Sequence, residues 1–174
     1  MVKEIYSKTV KGLTLLELLV SIGLLAIVGG IAAVIFFITI MNASKSDTIR
    51  EVKQNGDYAI SVMERMIRGA RIIEDPASCS GTSTSSITIR NPDNQPTTFS
   101  VLSGPPDQVA SNSTTLTNNK VKVNPGGLTF TCTQNSGKAP IVSINLSLSQ
   151  AGTTTKVAEI TTIIFKTTVS LRTY

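Results

Sequence analysis

The sequence predicts an α+β protein in which one long N-terminal helix packs on an antiparallel β-sheet head. Three observations support this fold class. Residues 13–41 are apolar with one charged residue among them, and residues 42–75 repeat apolar side chains every three or four positions. Beyond residue 78 the apolar side chains tend to fall on every second position. Helical spacing followed by alternation is typical of a helix succeeded by strands.

The first twelve residues form a short polar segment that we expect to be a separate leader. Lys3, Lys8 and Lys11 against Glu4 give this segment a charge of +2, out of +5 for the whole chain. Basic residues that flank an apolar segment stay on the cytoplasmic side of a membrane. The sequence therefore predicts a cytoplasmic N-terminus and an extracytoplasmic second half.

Residues 13–41 are long enough to cross a membrane. These 29 residues span about 43 Å as a helix, whereas a bilayer core needs about 30 Å and the apolar part of a secretory signal has only about 7–15 residues. Glu17 is the one charged residue in the run. Because a carboxylate within a membrane helix costs roughly 2.5–3.5 kcal/mol at the centre, Glu17 should have a partner or a function.

Residues 42–75 continue the helix in amphipathic form. We expect the helix to end at Glu74 or Asp75, because Pro76 disfavours helical geometry in the residue before it. Arg65, Arg68 and Arg71 fit a solvated basic face better than a phosphate site. The predicted apolar stripe needs the head as its partner and consists of Ile49, Val52, Ala59, Ile60, Met63, Met66, Ile67, Ala70 and Ile73.

The head, residues 76–174, is predicted to be rich in β-strands. The clearest alternation is Val142, Ile144, Leu146 and Leu148. Turn sequences such as Pro125-Gly126-Gly127 separate the candidate strands from one another. The predicted strands are Ser86–Arg90, Thr97–Leu102, Lys120–Asn124, Gly127–Thr133, Ile141–Ser149 and Val157–Arg172.

Both cysteines of the chain, Cys79 and Cys132, lie in the head. If the head faces an oxidising compartment, we expect a disulfide bond between them, which would close a loop of about 54 residues. The alternative is a pair of unbridged buried thiols that act as small apolar side chains.

The composition does not favour an enzyme. The chain has no His and no Trp, and it contains no Cys/His metal spacing, no G-x-S-x-G segment and no phosphate-binding loop. Asp93 and Asp107 lie in turns, where aspartate is an ordinary residue. We therefore expect no catalytic residue, no metal and no cofactor. Outside the leader the net charge is +3 and scattered, which does not favour a nucleic-acid partner.

Residues 11–20, Lys-Gly-Leu-Thr-Leu-Leu-Glu-Leu-Leu-Val, resemble the processing signal of type IV pilins and pseudopilins. The resemblance implies a pilin-like fold and a membrane peptidase that cuts after Gly12 and N-methylates Leu13. It also implies that Glu17 pairs with the N-terminal amine of a neighbouring subunit. Most members begin the mature chain with Phe, where this sequence has Leu13.

By this resemblance, the expected function is that of a major or minor pilin in a type IV pilus-like filament. Its implied partners are prepilin peptidase, an inner-membrane assembly platform, other pilins and, before assembly, membrane lipid. The subunit would first be a single-pass membrane protein and then part of a surface filament. Two alternatives stay open: a pseudopilin of a type II secretion system, in a periplasmic pseudopilus, or a signal-anchored binding module for DNA uptake or adhesion.

Overall fold

The computed structural model of the 174-residue chain describes residues 12, 14–152 and 161–172. The chain divides into two compact units, Met1–Ser44 and Lys45–Tyr174. Helix α1, Leu15–Gly69, contributes residues to both units. The strands are β1 Ile72–Asp75, β2 Ser80–Thr84, β3 Ile87–Arg90, β4 Pro96–Leu102, β5 Gln108–Ser111, β6 Thr114–Thr115, β7 Val121–Thr133, β8 Ile141–Gln150 and β9 Thr162–Ser170.

The α+β class is confirmed, and the helix packs on two antiparallel sheets where the sequence predicted a single one. The first sheet has the strand order β1-β3-β4-β5-β6, and the second has the order β2-β7-β8-β9. The two sheets are joined between Asp107 and β7, where the Val123 amide donates a hydrogen bond of 2.9 Å to the Asp107 carbonyl. Strands β1, β2, β5 and β6 were not predicted.

The helix ends at Gly69, so the predicted end at Glu74 or Asp75 is wrong. Glycine has a low helix propensity, and the two β-branched isoleucines that follow favour extended backbone. Residues Ile72–Asp75 form β1, which pairs with β3 in the register Ile72 to Arg90 and Ile73 to Ile89. The backbone groups beyond the helix are thus satisfied by a sheet rather than by another helical turn.

The core of the second unit lies between the helix and the two sheets. Five residues of the predicted stripe are fully buried: Val52, Ala59, Met63, Ile67 and Ala70. Ile60, Met66 and Ile73 pack against this core, while Ile49 is 37% exposed. The predicted alternation in β8 is confirmed, since Val142, Ile144, Leu146 and Leu148 are all at most 1% exposed. Burial of each such side chain stabilises the fold by roughly 1.5–3 kcal/mol.

Strand β7 joins the two strands predicted at Lys120–Asn124 and Gly127–Thr133. Its pairing with β8 shifts between Val123 and Leu128, so Pro125-Gly126-Gly127 form a bulge and not a turn. Asn124 holds the bulge in place, because its amide donates to Ser147 Oγ at 2.8 Å and its Oδ1 accepts from Ser149 Oγ at 2.7 Å. A side chain at Gly127 would clash with the Asn124 and Ser147 carbonyls, which explains the glycine there.

Strand β9 begins at Thr162. It pairs with β8 without a shift in register, from Thr162 opposite Ser149 to Ser170 opposite Ile141. The predicted strand, Val157–Arg172, was longer at both ends. Its first four residues, 157–160, lie outside the described residues.

Candidate processing and assembly site

The first helical turn is fixed by Thr14. Its Oγ1 accepts a hydrogen bond of 3.2 Å from the Glu17 amide, and its carbonyl accepts one of 3.1 Å from the Leu18 amide. Thr14 is therefore the N-cap of α1, and Thr14-Leu15-Leu16-Glu17 has the sequence of a capping box. Gly12 lies exposed before the helix, with no atom within 4 Å of the position that a Cβ would take. Leu13, the predicted methylation site, lies outside the described residues.

Glu17 lies in the first turn of α1 and is exposed. Its backbone carbonyl accepts a hydrogen bond of 2.7 Å from Ser21 Oγ. Within residues 12, 14–152 and 161–172, its carboxylate has neither a hydrogen bond nor an ion pair. The positive end of the helix dipole favours a carboxylate at this position. The group is thus available to a positive charge from another molecule.

The helix surface around Glu17 is apolar and exposed over most of the first unit. Leu15 is 84% exposed and Met41 still 49%, and α1 contains a window with a mean hydropathy of 2.8. The helix is thus long and apolar enough to cross a membrane, as the sequence predicted. An apolar surface of this extent is stable only in lipid or against other protein surfaces.

In the second unit, Glu51 connects the helix to the segment before β7. Asn118 Nδ2 donates to Glu51 Oε1 at 2.6 Å, and Lys120 Nζ lies 3.7 Å from Glu51 Oε2. Asn55 adds a second contact, since its Oδ1 accepts from the Asn118 amide at 2.9 Å. The hydrogen bond from Asn118 is the main cause that lowers the pKa of Glu51, and Lys120 and Asn55 act in the same direction against partial burial.

The structure joins Cys79 and Cys132 in a disulfide bond, with Cα atoms 4.6 Å apart. Cys79 directly precedes β2 and Cys132 lies in β7, the strand that pairs with β2. The Gln134 amide donates a hydrogen bond of 3.1 Å to the Cys79 carbonyl on the same side. The bond therefore fastens the edge strand of the second sheet to its neighbour.

The remaining acidic residues singled out in the sequence have local structural partners. Asp93 Oδ1 accepts from the Gln95 amide at 3.1 Å, and Asp107 Oδ1 accepts from the Gly104 amide at 3.0 Å. Glu74 lies in β1 and pairs with Arg90 through two guanidinium nitrogens, so it is part of a sheet and not the predicted helix end. Among the described residues, no group of three or more His, Cys, Asp or Glu could hold a metal ion.

Two features of these sites were not predicted from the sequence. The cap at Thr14 could have been found, because a Thr followed three residues later by Glu before an apolar run is a known helix-start pattern. The contact of Glu51 with Asn118 could not, since the two residues are 67 positions apart and no periodicity relates them.

Comparison with curated proteins and with solved structures yields no significant match. A family model does match the N-terminal part of the chain, where Thr14 caps the helix and Glu17 lies in its first turn. Residues 7–33 match the prokaryotic N-terminal methylation motif, so the chain carries the prepilin-type signal that type IV pilins and pseudopilins share.

Proposed function

We propose that this chain is a structural subunit, a pilin, of a type IV pilus-like filament. The observation that supports the proposal best is the methylation motif over residues 7–33, which includes Gly12, Leu13 and Glu17. In this proposal a prepilin peptidase removes residues 1–12 and N-methylates Leu13. Helix α1 then assembles with other pilins.

The local structure around Gly12 supports cleavage at this position. A peptidase needs an extended, accessible backbone, and Gly12 is exposed and lies before the capped helix. The basic residues Lys3, Lys8 and Lys11 would hold the leader on the cytoplasmic side until it is removed. The precursor is then a single-pass membrane protein with the head outside.

The role of Glu17 follows from the energetics of a carboxylate in apolar surroundings. Buried ions persist when they are paired and are destabilising when they are not. Cleavage creates an amine at Leu13, and a neighbouring subunit in the filament brings such an amine to Glu17. The hydrocarbon core of a bilayer offers no such partner, so this ion pair favours the filament over the membrane.

The implied partners are the prepilin peptidase, an inner-membrane assembly platform and other pilins. The methylation motif is common to pili and to type II secretion pseudopili, so a pseudopilin is the second candidate function. The place of the filament, on the cell surface or in the periplasm, distinguishes the two.

The test is co-expression of the full chain with a prepilin peptidase and its assembly system. We expect the purified protein to begin at Leu13. Its mass should exceed that of the unmethylated sequence 13–174 by about 14 Da, the mass that one methyl group adds. We expect Glu17→Gln to be processed in the same way, to stay in the membrane and to be missing from sheared filaments, because it cannot pair with the amine. Ser21→Ala, one turn further along, is the matched control and should enter filaments normally.

Two results would contradict the proposal. If the protein keeps residues 1–12 in the presence of an active peptidase, the proposed processing is contradicted, and a signal-anchored binding module is favoured. If Glu17→Gln enters filaments normally, the proposed charge pairing is contradicted, even where the leader is removed.

A further inference from the structure

Two cavities of the second unit adjoin at the end of α1. One has a volume of about 540 Å³ and is lined by Arg65, Arg68 and Arg172 among others. The other has a volume of about 930 Å³ and is lined by Arg71 and Arg172. Both cavities include Leu171 and Arg172 in their lining. We name the combined surface the basic groove.

The charge of the basic groove is strongly positive. Four of the six arginines of the chain line it, and all four are exposed. Glu64 is the one acidic residue in the described lining, and its Oε1 already accepts a hydrogen bond from Thr167 Oγ1. Among the described residues, Arg65, Arg68 and Arg71 form no ion pair, since Arg90–Glu74 and Lys120–Glu51 lie elsewhere.

The favourable interaction of cations with the C-terminal end of α1 does not by itself explain why four arginines line the basic groove. Arg68 lies in the last turn of α1, where the helix dipole favours a cation. Arg71 lies beyond the helix, and Arg172 follows β9, about a hundred residues later in the sequence. The fold thus brings cations from the end of α1 and from the end of β9 to one groove, where the Arg172 amide donates a hydrogen bond of 3.2 Å to the Arg68 carbonyl.

The other residues of the groove indicate what it could bind. Ile73, Pro76 and Pro140 give it apolar surface, and the Gln134 and Asn135 amides are placed near them. No aromatic side chain occurs in the described lining of either cavity, so the groove does not offer bases a stacking surface. A concave groove also fits a chain better than the flat surface of a bilayer.

We propose that the basic groove binds an extended acidic segment of a partner protein. Arginine guanidinium groups hold carboxylates through paired hydrogen bonds. The apolar residues between the arginines would contact the aliphatic side chains of the same segment. This binding does not depend on processing or on filament assembly, so its failure and theirs are separate results.

The test uses the full chain in a neutral detergent and a fluorescein-labelled peptide, Glu-Pro-Glu-Val repeated twice. We expect the peptide to bind and the peptide with Gln in place of Glu not to bind. In the protein, Arg68→Gln with Arg71→Gln should weaken peptide binding about tenfold, because two exposed ion pairs between arginine and the peptide carboxylates are lost. Arg50→Gln with Lys53→Gln removes two exposed cations of the same helix outside the groove and is the matched control.

The proposal is overturned if the acidic peptide does not bind, or if both double variants weaken binding equally. It is also overturned if a DNA duplex, or vesicles of anionic lipid, bind more tightly than the peptide and lose that binding with Arg68→Gln and Arg71→Gln. Thermal unfolding of each variant, unchanged from the parent protein, shows that a loss of binding is not a loss of fold.

Discussion

At the scale of single residues, Glu51 shows how one carboxylate fastens the helix to the head. It accepts from Asn118 at 2.6 Å and lies 3.7 Å from the Lys120 ammonium, and its side chain is 32% exposed. The same contacts lower its pKa, with Asn118 as the main cause. A lowered pKa in the folded state means that the folded protein favours the charged carboxylate, which therefore contributes to stability.

The sign of this contribution gives a prediction about pH. The stabilisation is fully present above the unfolded pKa of a glutamate, about 4.3, and is lost as the pH falls through the lower pKa of the folded state. Urea unfolding at pH 7 and at pH 3 should show a smaller acid-induced loss of stability for Glu51→Gln than for the parent protein. The difference should be below about 1 kcal/mol, because the pair is partly exposed. Asp57→Asn, an exposed acid on the same helix, is the control, and an equal effect of both variants would contradict the role of Glu51.

The residue scale also shows which site residues could be predicted. Glu17 stood out because a single carboxylate within an apolar run is costly, and Gly12 was expected from the resemblance of residues 11–20 to the pilin processing signal. The contacts of Glu51 depend on a chain reversal that local sequence does not encode. Glu74 was misplaced for the same reason, because its partner Arg90 belongs to a strand that pairs with a segment predicted as helix.

At the scale of elements, the helix packs on β9 through a glycine. A Cβ on Gly56 would lie 2.1 Å from the Phe165 Cζ atom, so the ring of Phe165 rests directly on the helix backbone. Glycine in a helix interior costs about 1 kcal/mol relative to alanine. The close contact of the ring with the backbone explains why a glycine is nevertheless found there.

This contact predicts that Gly56→Ala destabilises the protein although it raises helix propensity. Phe165 would have to move, and overpacking of this kind costs typically 1–3 kcal/mol. Gly69→Ala has no atom within 4 Å of the new Cβ, so it is the matched control and should be neutral or slightly stabilising. Chemical unfolding measures both variants, and adding Phe165→Leu should reduce the penalty of Gly56→Ala. A neutral Gly56→Ala would show that the ring is not fixed against the helix.

Burial and strand pairing decide which helices and strands could be predicted from the sequence. Strand β8 was predicted with nearly its observed bounds because one of its faces is buried and the alternation is unbroken. Strand β2, Ser-Gly-Thr-Ser-Thr, has no apolar residue and is mostly exposed, so only its pairing with β7 defines it. The helix end was placed too late because the apolar spacing continues into β1, where Ile73 packs against the same core as the helix.

At the scale of the whole molecule, the disulfide has the widest effect on the second unit. Cys79 and Cys132 are separated by 53 positions in the sequence. The segment between them contains β2 to β6 and most of β7, which includes every strand of the first sheet except β1. Bridges of this kind persist in oxidising compartments, in agreement with the proposal that the head lies outside the cytoplasm.

Removal of this bridge should destabilise the second unit without affecting the first. In the chain-entropy model a closed loop of about 54 residues stabilises the folded state by roughly 4 kcal/mol, because the unbridged unfolded chain gains that much conformational freedom. We expect Cys79→Ser with Cys132→Ser to lower the unfolding free energy by about this amount, and reduction of the parent protein to do the same. Membrane insertion of the variant should be unchanged, since residues 15–41 contain neither cysteine. Urea unfolding followed by near-ultraviolet circular dichroism measures the change, and equal stability with and without the bridge would show that the two sheets hold this segment by packing alone.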